Sequence, residues 1–105
     1  MRQDPEDGVR FLMLRAYRNW DFPKGEVARN ETPLAAAIRE TAEETSIEDL
    51  DFVWGADYVE TAPYAGGKIA RYYLAQTDVH RVQFRLNPSM GRPEHHEYRW
   101  VSVLD

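Results

Sequence analysis

Residues 25–47, GEVARNETPLAAAIRETAEETSI, decide the fold of this 105-residue chain. The second half of the stretch predicts a helix, because Thr32 is a good N-cap, Pro33 suits the first helical position and no helix breaker follows. At about 100° of rotation per residue, four apolar or threonine side chains share one face of this helix. They are Leu34, Ile38, Thr41 and Thr45.

A different face of the same helix carries Glu40, Glu43 and Glu44 within an arc of roughly 100°. Three carboxylates this close repel one another, and Arg39, four residues before Glu43, can neutralise only part of their charge. A hard, oxygen-seeking cation such as Mg²⁺ would complete the charge balance. The alternative is a solvated acidic face of an amphipathic helix, which is the commoner meaning of an isolated E-x-x-E-E pattern.

The acidic helix is the second part of a longer pattern of fixed spacings. This pattern resembles the signature of the Nudix hydrolases, G-x5-E-x7-R-E-U-x-E-E-x-G-U, in which U is a bulky apolar residue. The matching positions are Gly25, Glu31, Arg39, Glu40, Glu43, Glu44 and Ile47. Thr41 stands at an apolar position. Ser46 replaces the glycine that usually ends the helix in a left-handed conformation, at an expected cost of about 1 kcal/mol.

The resemblance implies an enzyme that hydrolyses a diphosphate linkage with Mg²⁺, or Mn²⁺, as its cofactor. On the same grounds Glu40, Glu43 and Glu44 are metal ligands, and Arg39 and Glu31 orient these carboxylates. The resemblance leaves open which glutamate positions the attacking water. The candidate catalytic residues are Glu44, Glu43, Arg39, Glu31 and Glu94.

Two flanking segments resemble the dinucleoside polyphosphate hydrolases within that family. The P-K-G at residues 23–25 implies Lys24 as a phosphate contact. Residues 94–100, EHHEYRW, resemble the E-H-x-x-Y-R-W segment of that subfamily and imply Glu94 as a further metal ligand, with Glu97 as the second choice. The pair His95-His96 invites a zinc site, but this is disfavoured because no further histidine or cysteine at a suitable spacing accompanies it.

Base recognition requires an exposed aromatic side chain or an apolar slot. The resemblance places Tyr72 near a base-binding cleft and Lys68 near the phosphates, and Tyr64 is a second candidate for stacking. Since neighbouring strand residues point to opposite faces, only one of Tyr72 and Tyr73 is expected to line the cleft. Sheet packing is the alternative role of each tyrosine. The candidate substrate-binding residues are Lys24, Gly25, Lys68 and Tyr72.

Composition limits the other functional classes. The chain is 43% hydrophobic and 30% charged, which is typical of a soluble globular domain. It has no cysteine, so a disulfide or a thiolate metal site is excluded and a cytoplasmic location is expected. No apolar run is long enough to span a membrane. A formal charge of −5 disfavours nucleic-acid binding by charge alone, although it leaves the 5′ end of an RNA open as a substrate.

The chain is expected to be one α+β domain over residues 1–105, with residues 1–8 disordered or loosely held. Strands are predicted at residues 9–15, 50–59, 68–76, 82–86 and 98–103, with turn-rich loops at 61–67 and 87–93. The resemblance implies a Nudix α/β/α sandwich, with a mixed sheet against the box helix. Members of that family usually have a further strand before residue 9 and a helix after residue 103, and this sequence is expected to lack both elements.

The favoured function is Mg²⁺-dependent hydrolysis of diadenosine tetraphosphate to ATP and AMP, a reaction that the resemblance implies. Three alternatives keep the same chemistry on 5′-triphosphate RNA, an ADP-sugar or an oxidised nucleotide. A fourth alternative is a regulatory domain that binds a nucleotide without turnover. The sequence leaves the oligomeric state open.

Overall fold

A computed structural model describes residues 1–4, 8–64, 66–87 and 90–102. Its strands and helix are β1 (Arg2–Asp4), β2 (Gly8–Ala16), β3 (Asn19–Asp21), α1 (Pro33–Thr45), β4 (Tyr58–Glu60), β5 (Arg71–Tyr73), β6 (Leu86–Asn87), β7 (Arg92–Pro93) and β8 (Glu97–Ser102). This is the predicted α+β architecture. No helix in these ranges combines the length and apolar character needed to cross a bilayer.

Strand β2 is the centre of the main sheet. It pairs with β8 along one edge, and with β1 and β3 along the other, all antiparallel. Two small ribbons, β4–β5 and β6–β7, are also antiparallel. The core contains Leu12 and Leu14 of β2, which alternate onto one sheet face, together with Ile47 and Val82. Leu14 is only 1% exposed. Because Ile47, just after α1, belongs to the same cluster, the end of the helix is anchored on the middle of β2.

Helix α1 begins as predicted. The hydroxyl of Thr32 accepts a hydrogen bond of 3.1 Å from the Ala35 amide, and Pro33 is the first helical residue. The predicted apolar face is only partly enclosed. Thr45 is completely buried, whereas Ile38 remains 38% exposed and lines a cavity beside the helix.

The end of α1 shows why serine is accepted where glycine is usual. Ser46 has the predicted left-handed conformation, with φ 64°. Its hydroxyl donates to the Gln83 carbonyl at 2.7 Å and accepts from Arg85 Nε at 3.0 Å. The side chain therefore offsets the backbone strain by tying the helix end to residues 83–85.

The outer strands are shorter than predicted. Strands β2 and β8 confirm the predictions for 9–15 and 98–103, although residue 103 lies outside the described residues. The predicted strands 50–59 and 68–76 form a continuous ladder only between Tyr58–Glu60 and Arg71–Tyr73. An isolated antiparallel bridge joins Asp51 to Gln76, and a turn ending at Gly55, with φ 84°, separates this bridge from the ladder. The predicted strand 82–86 is wrong, since Val82 and Phe84 pack on the core without a ladder partner and pairing begins at Leu86.

The predicted loosely held start is wrong for residues 1–4. Strand β1 pairs with β2 in the register Arg2↔Arg10, so a strand does precede β2. The N-terminal ammonium of Met1 donates to the Ala75 carbonyl at 2.9 Å, and the Thr77 amide donates to the Met1 carbonyl at 2.9 Å. Residues 5–7 and 103–105 lie outside the described residues.

The left-handed end of α1 is testable by two substitutions. Both Ser46→Gly and Ser46→Ala lose the hydroxyl contacts, but only alanine retains a Cβ in a left-handed conformation. We expect the glycine variant to be more stable than the alanine variant by about 1 kcal/mol in urea unfolding. Equal stability of the two variants would contradict the left-handed assignment.

Candidate metal and phosphate site

Arg39 lies at the centre of the acidic cluster, and each of its five N–H donors is hydrogen bonded. Nε and Nη2 hold the two oxygens of Glu31 at 2.8 and 3.1 Å. Nη1 donates to Glu40 at 2.7 Å and to Glu43 at 3.2 Å, and the second Nη2 proton goes to the Glu26 carbonyl at 3.0 Å. One guanidinium therefore fixes the two carboxylates of the helix relative to the preceding loop.

Glu31 joins this loop to the helix. Its Oε1 also accepts the Ala28 amide at 2.9 Å, while the Glu31 amide donates to the Ala28 carbonyl at 3.2 Å. The Arg39 hydrogen bonds, followed by the Ala28 amide, lower the pKa of Glu31. The same pairing, with Glu31 first and Glu40 second, raises the pKa of Arg39. Glu31 therefore remains ionised as the anchor of residues 26–31.

Gly25 is required by close packing rather than by backbone conformation. A Cβ added at this position would lie 2.0 Å from Cδ and 2.3 Å from Cγ of Glu40. The loop main chain therefore passes directly over the Glu40 side chain, which Arg39 holds from the other side. Any larger residue at position 25 would displace the carboxylate.

Glu44 is held in a different way. It is 8% exposed, and its Oε2 accepts the main-chain amide of Lys24 at 2.9 Å. Burial raises the pKa of Glu44 to about 8; the Lys24 amide opposes this shift, and the charges of Glu94, Glu40 and Glu43 add to it. This carboxyl therefore requires a nearby cation before it can ionise fully at neutral pH.

Glu94 and His95 complete the cluster from a second part of the chain. Ligand atoms of Glu44, Glu94 and His95 all lie within 4.8 Å of one another. His95 is 7% exposed, and its Nδ1 lies 4.0 Å from Glu44 Oε1, too far for a hydrogen bond. Burial lowers the pKa of His95, so the pair is not an ion pair and the imidazole is neutral.

These donors fit a divalent cation. Carboxylate oxygens with one neutral imidazole suit Mg²⁺, Mn²⁺ or Zn²⁺, and hard oxygen donors dominate the cluster. The lysine beside Glu44 does not supply the missing charge, because Lys24 Nζ is paired with Asp21 at 2.7 Å. A bound cation would neutralise the buried Glu44 carboxylate and the neighbouring Glu40 and Glu43 carboxylates together.

The cluster lies in the wall of a cleft with a volume of about 1110 Å³. The cleft brings together eight of the residues that the sequence singled out. They are Lys24, Gly25, Glu40, Glu43, Glu44, Lys68, Tyr72 and Glu94. Among the described residues, Arg39 and Glu31 do not line the cleft; Arg39 holds the carboxylates of Glu40 and Glu43, which do, and Tyr64 also lines it. Glu97, the second choice to Glu94, instead contacts Arg15 at 3.5 Å across the sheet.

The two tyrosines of β5 differ less than predicted. Tyr72 is exposed and meets Phe22 edge-on, with ring centroids 6.2 Å apart. Tyr73 packs against Tyr58, with ring centroids 5.7 Å apart, yet it also lines the cleft. Trp100 is half-buried against the core, and its indole N–H donates to the His80 carbonyl at 2.8 Å.

Sequence reasoning assigned no role to two residues that contact this site. The sequence pattern pairs His95 only with His96. In the structure His96 is exposed, and its main-chain amide donates to the Arg15 carbonyl. The adjacent Glu94 was the signal that could have identified His95. Asp21 holds Lys24, and it also accepts the Phe22 amide at 2.8 Å, so it shapes the loop before Gly25.

Comparisons with known proteins show what the chain as a whole is similar to. A family model of the NUDIX domain matches residues 2–105. The chain is 33% identical over 101 residues to the asymmetrical bis(5′-nucleosyl)-tetraphosphatase of Rattus norvegicus, covering 90% of this chain and 65% of the relative. It is 27% identical over 104 residues to the RNA pyrophosphohydrolase of Bartonella henselae, covering 85% and 60%.

A solved structure of similar fold is a C. elegans Ap4A hydrolase binary complex. It matches with a TM-score of 0.72 and 31% identity, over 91% of this chain and 70% of that chain. The chain spans only 65% of the length of the curated rat relative and 60% of the bacterial one.

The packing of Gly25 on Glu40 predicts a specific loss. Gly25→Ala should retain the fold and weaken Mn²⁺ binding by about 10–100-fold, the usual effect of disturbing a group that orients a metal ligand. Mn²⁺ binding is measured by electron paramagnetic resonance of the free ion.

The matched control is Gly66→Ala. Gly66 has φ 84° and open space around it, so this variant should lose stability without losing Mn²⁺ affinity. Unchanged Mn²⁺ affinity in Gly25→Ala would remove Glu40 from the metal site.

The lowered pKa of Glu31 predicts a pH-dependent contribution to stability. Because its folded-state pKa lies below the ordinary 4.5, the unfolded state binds the extra proton, and the stabilisation is present above pH 4.5. It is lost as the pH falls through the lowered folded-state pKa. The difference in unfolding free energy between the wild type and Glu31→Gln should therefore shrink on acidification.

The control for this measurement is Glu48→Gln, since the Glu48 side chain is 73% exposed and its contact with Arg85 is long, at 3.7 Å. A Glu31 difference that stays constant down to pH 3 would contradict the Arg39–Glu31 anchor.

Proposed function

Because the chain belongs to the NUDIX family, we propose that it hydrolyses a diphosphate linkage in a nucleoside diphosphate joined to another group, using Mg²⁺. The favoured substrate is diadenosine tetraphosphate, with ATP and AMP as products. Similarity to the asymmetrical tetraphosphatases supports this choice, and so does the C. elegans Ap4A hydrolase structure.

One observation carries the proposal: carboxylates from two distant parts of the chain converge on one cleft. Glu40 and Glu43 are fixed by Arg39, Glu44 is buried beside them, and Glu94 approaches from the segment before β8. A domain that only binds nucleotides has no evident need for so many clustered carboxylates. Their mutual repulsion is useful only if cations are bound.

The charges lining the cleft support a metal-dependent reaction. Basic residues from the lining are Lys24, Lys68, Arg71 and Arg85, and acidic ones are Glu26, Glu40, Glu43, Glu44, Glu60 and Glu94. The cleft is therefore net acidic and would repel a polyphosphate. Mg²⁺ held by Glu40, Glu43, Glu44 and Glu94 would reverse the local charge and lower the pKa of a bound water.

The chain's own groups then have separate tasks. Lys24, on the loop before Gly25, would exchange its ion pair with Asp21 for a phosphate, and Lys68, which also lines the cleft, would provide a second phosphate contact. Tyr72 offers a ring to a base, since it is exposed at the cleft wall and supported edge-on by Phe22. One of Glu44 and Glu94 orients the attacking water and accepts its proton.

Glu44→Gln tests the proposal. The substitution keeps the size and the acceptor for the Lys24 amide but removes the anionic ligand. We expect kcat on diadenosine tetraphosphate to fall by about 100-fold or more, with the unfolding transition preserved. Products are resolved by chromatography with and without a chelator, beside ADP-ribose and a 5′-triphosphate RNA oligomer.

Glu97→Gln is the matched control, because Glu97 pairs with Arg15 away from the cleft, and it should retain activity. Near-normal turnover by Glu44→Gln would exclude Glu44 from the metal site. Preferred cleavage of the RNA would favour the activity named for the Bartonella relative. Nucleotide binding without turnover of any substrate would favour a regulatory domain.

A further inference from the structure

A second cavity, of about 570 Å³, lies beside the cleft. Its aromatic lining residues are Phe11, Phe22, Phe52, Trp54, Tyr58, Tyr72, Tyr73 and Trp100. Trp54 is 49% exposed, so its ring is accessible to a ligand. The volume and the apolar, aromatic lining are those of a small-molecule site. We refer to this cavity as the aromatic groove.

The aromatic groove is continuous with the cleft through α1. The helix presents Glu40 to the cleft, and Ile38 and Thr41 to the groove. At about 100° per residue, Ala37 lies between the directions of Glu40 and Thr41, and it lines both cavities. Because the alanine side chain is small, little side-chain volume separates the cleft from the groove at this point.

Strand β5 forms the other side of the boundary. Arg71, Tyr72 and Tyr73 line both cavities, as does Pro23 from the loop before the glutamate cluster. The edge-to-face pair of Phe22 and Tyr72 stands at this junction. A ligand that is anionic in the middle and aromatic at its ends could therefore occupy the cleft and the groove together.

We propose that the aromatic groove binds the second nucleobase of a dinucleoside polyphosphate whose phosphates occupy the cleft. This rests on the proposed function and adds the reason for preferring a substrate with two nucleosides. Trp54 supplies a stacking face, and base–aromatic stacking accepts any base. Asp57, which can only accept hydrogen bonds when ionised, also lines the groove and suits an amino-bearing base such as adenine.

Continuity with the cleft favours a nucleobase over a protein segment. A peptide or a second copy of the chain would require an apolar surface alone, whereas this groove opens at the phosphate cleft and shares Tyr72 and Ala37 with it. The shared residues would couple occupancy of the groove to binding in the cleft.

The kinetic test compares diadenosine tetraphosphate with adenosine 5′-tetraphosphate, which has the same four phosphates but one nucleoside fewer. The wild type should prefer the dinucleoside through a lower KM. Trp54→Ala should reduce this preference by about tenfold, which is the effect of losing one aromatic–base stack. Ala37→Leu should reduce it by a similar factor, because the larger side chain fills the boundary between the two cavities. Both variants should have a smaller effect on kcat. The matched controls are Val53→Ala, an exposed neighbour, and Ala35→Leu, on the exposed face of α1.

A binding measurement separates this inference from the proposed function. Adenosine is titrated into ¹⁵N-labelled protein without Mg²⁺, and the indole N–H signals are followed, with the Trp54 signal assigned from Trp54→Phe. The Trp54 signal should shift. The Trp20 signal should not, because Trp20 lies between Arg15 and Arg99 on the main sheet, outside both cavities.

A Trp54 shift in a protein that cleaves no substrate would support the groove and overturn the proposed function. Cleavage with an unchanged dinucleoside preference in both groove variants, and no Trp54 shift, would overturn the groove. A dimer in analytical ultracentrifugation that Trp54→Ala dissociates, again without a Trp54 shift, would assign the groove to a second copy and overturn it as a base site.

Discussion

The site depends on the guanidinium of Arg39 and its complete set of hydrogen bonds. Two bonds hold Glu31 and one holds the Glu26 carbonyl, so the loop is fixed; the remaining two hold Glu40 and Glu43 on the helix. A lysine could not replace this residue, because its three donors lack the planar fork that reaches acceptors on several sides. Loop and helix therefore form one rigid wall before any ligand arrives.

Glu44 shows that the same wall uses a second means of placing charge. Exposed Glu43 is held by the opposite charge of Arg39, whereas buried Glu44 is held by the Lys24 main-chain amide, and burial disfavours its ionised form. An amide orients a carboxylate without neutralising it. The charge of the Glu44 carboxylate is therefore left for a bound cation to neutralise. The packing of α1 in this way affects the electrostatics of the cleft.

Features of the fold and the site that depend on residues close together in the sequence could be predicted, and those that depend on distant residues could not. The helix, its Thr32 cap and the left-handed Ser46 could be predicted because each is determined by residues only a few positions apart in the sequence. Strands such as 82–86 were not, since apolar alternation cannot distinguish packing on a core from pairing in a ladder. His95 was missed for a related reason: its partner Glu44 is 51 positions away in sequence, and only the fold of β8 onto β2 brings them together.

Lys24 makes two independent polar contacts, one through its main chain and one through its side chain. Its main-chain N–H donates to Glu44, while its side chain forms an ion pair with Asp21. Every amino acid except proline supplies that N–H. A substitution of the side chain at position 24 can therefore change the charge beside the cleft while the main-chain amide continues to orient the buried Glu44 carboxyl group.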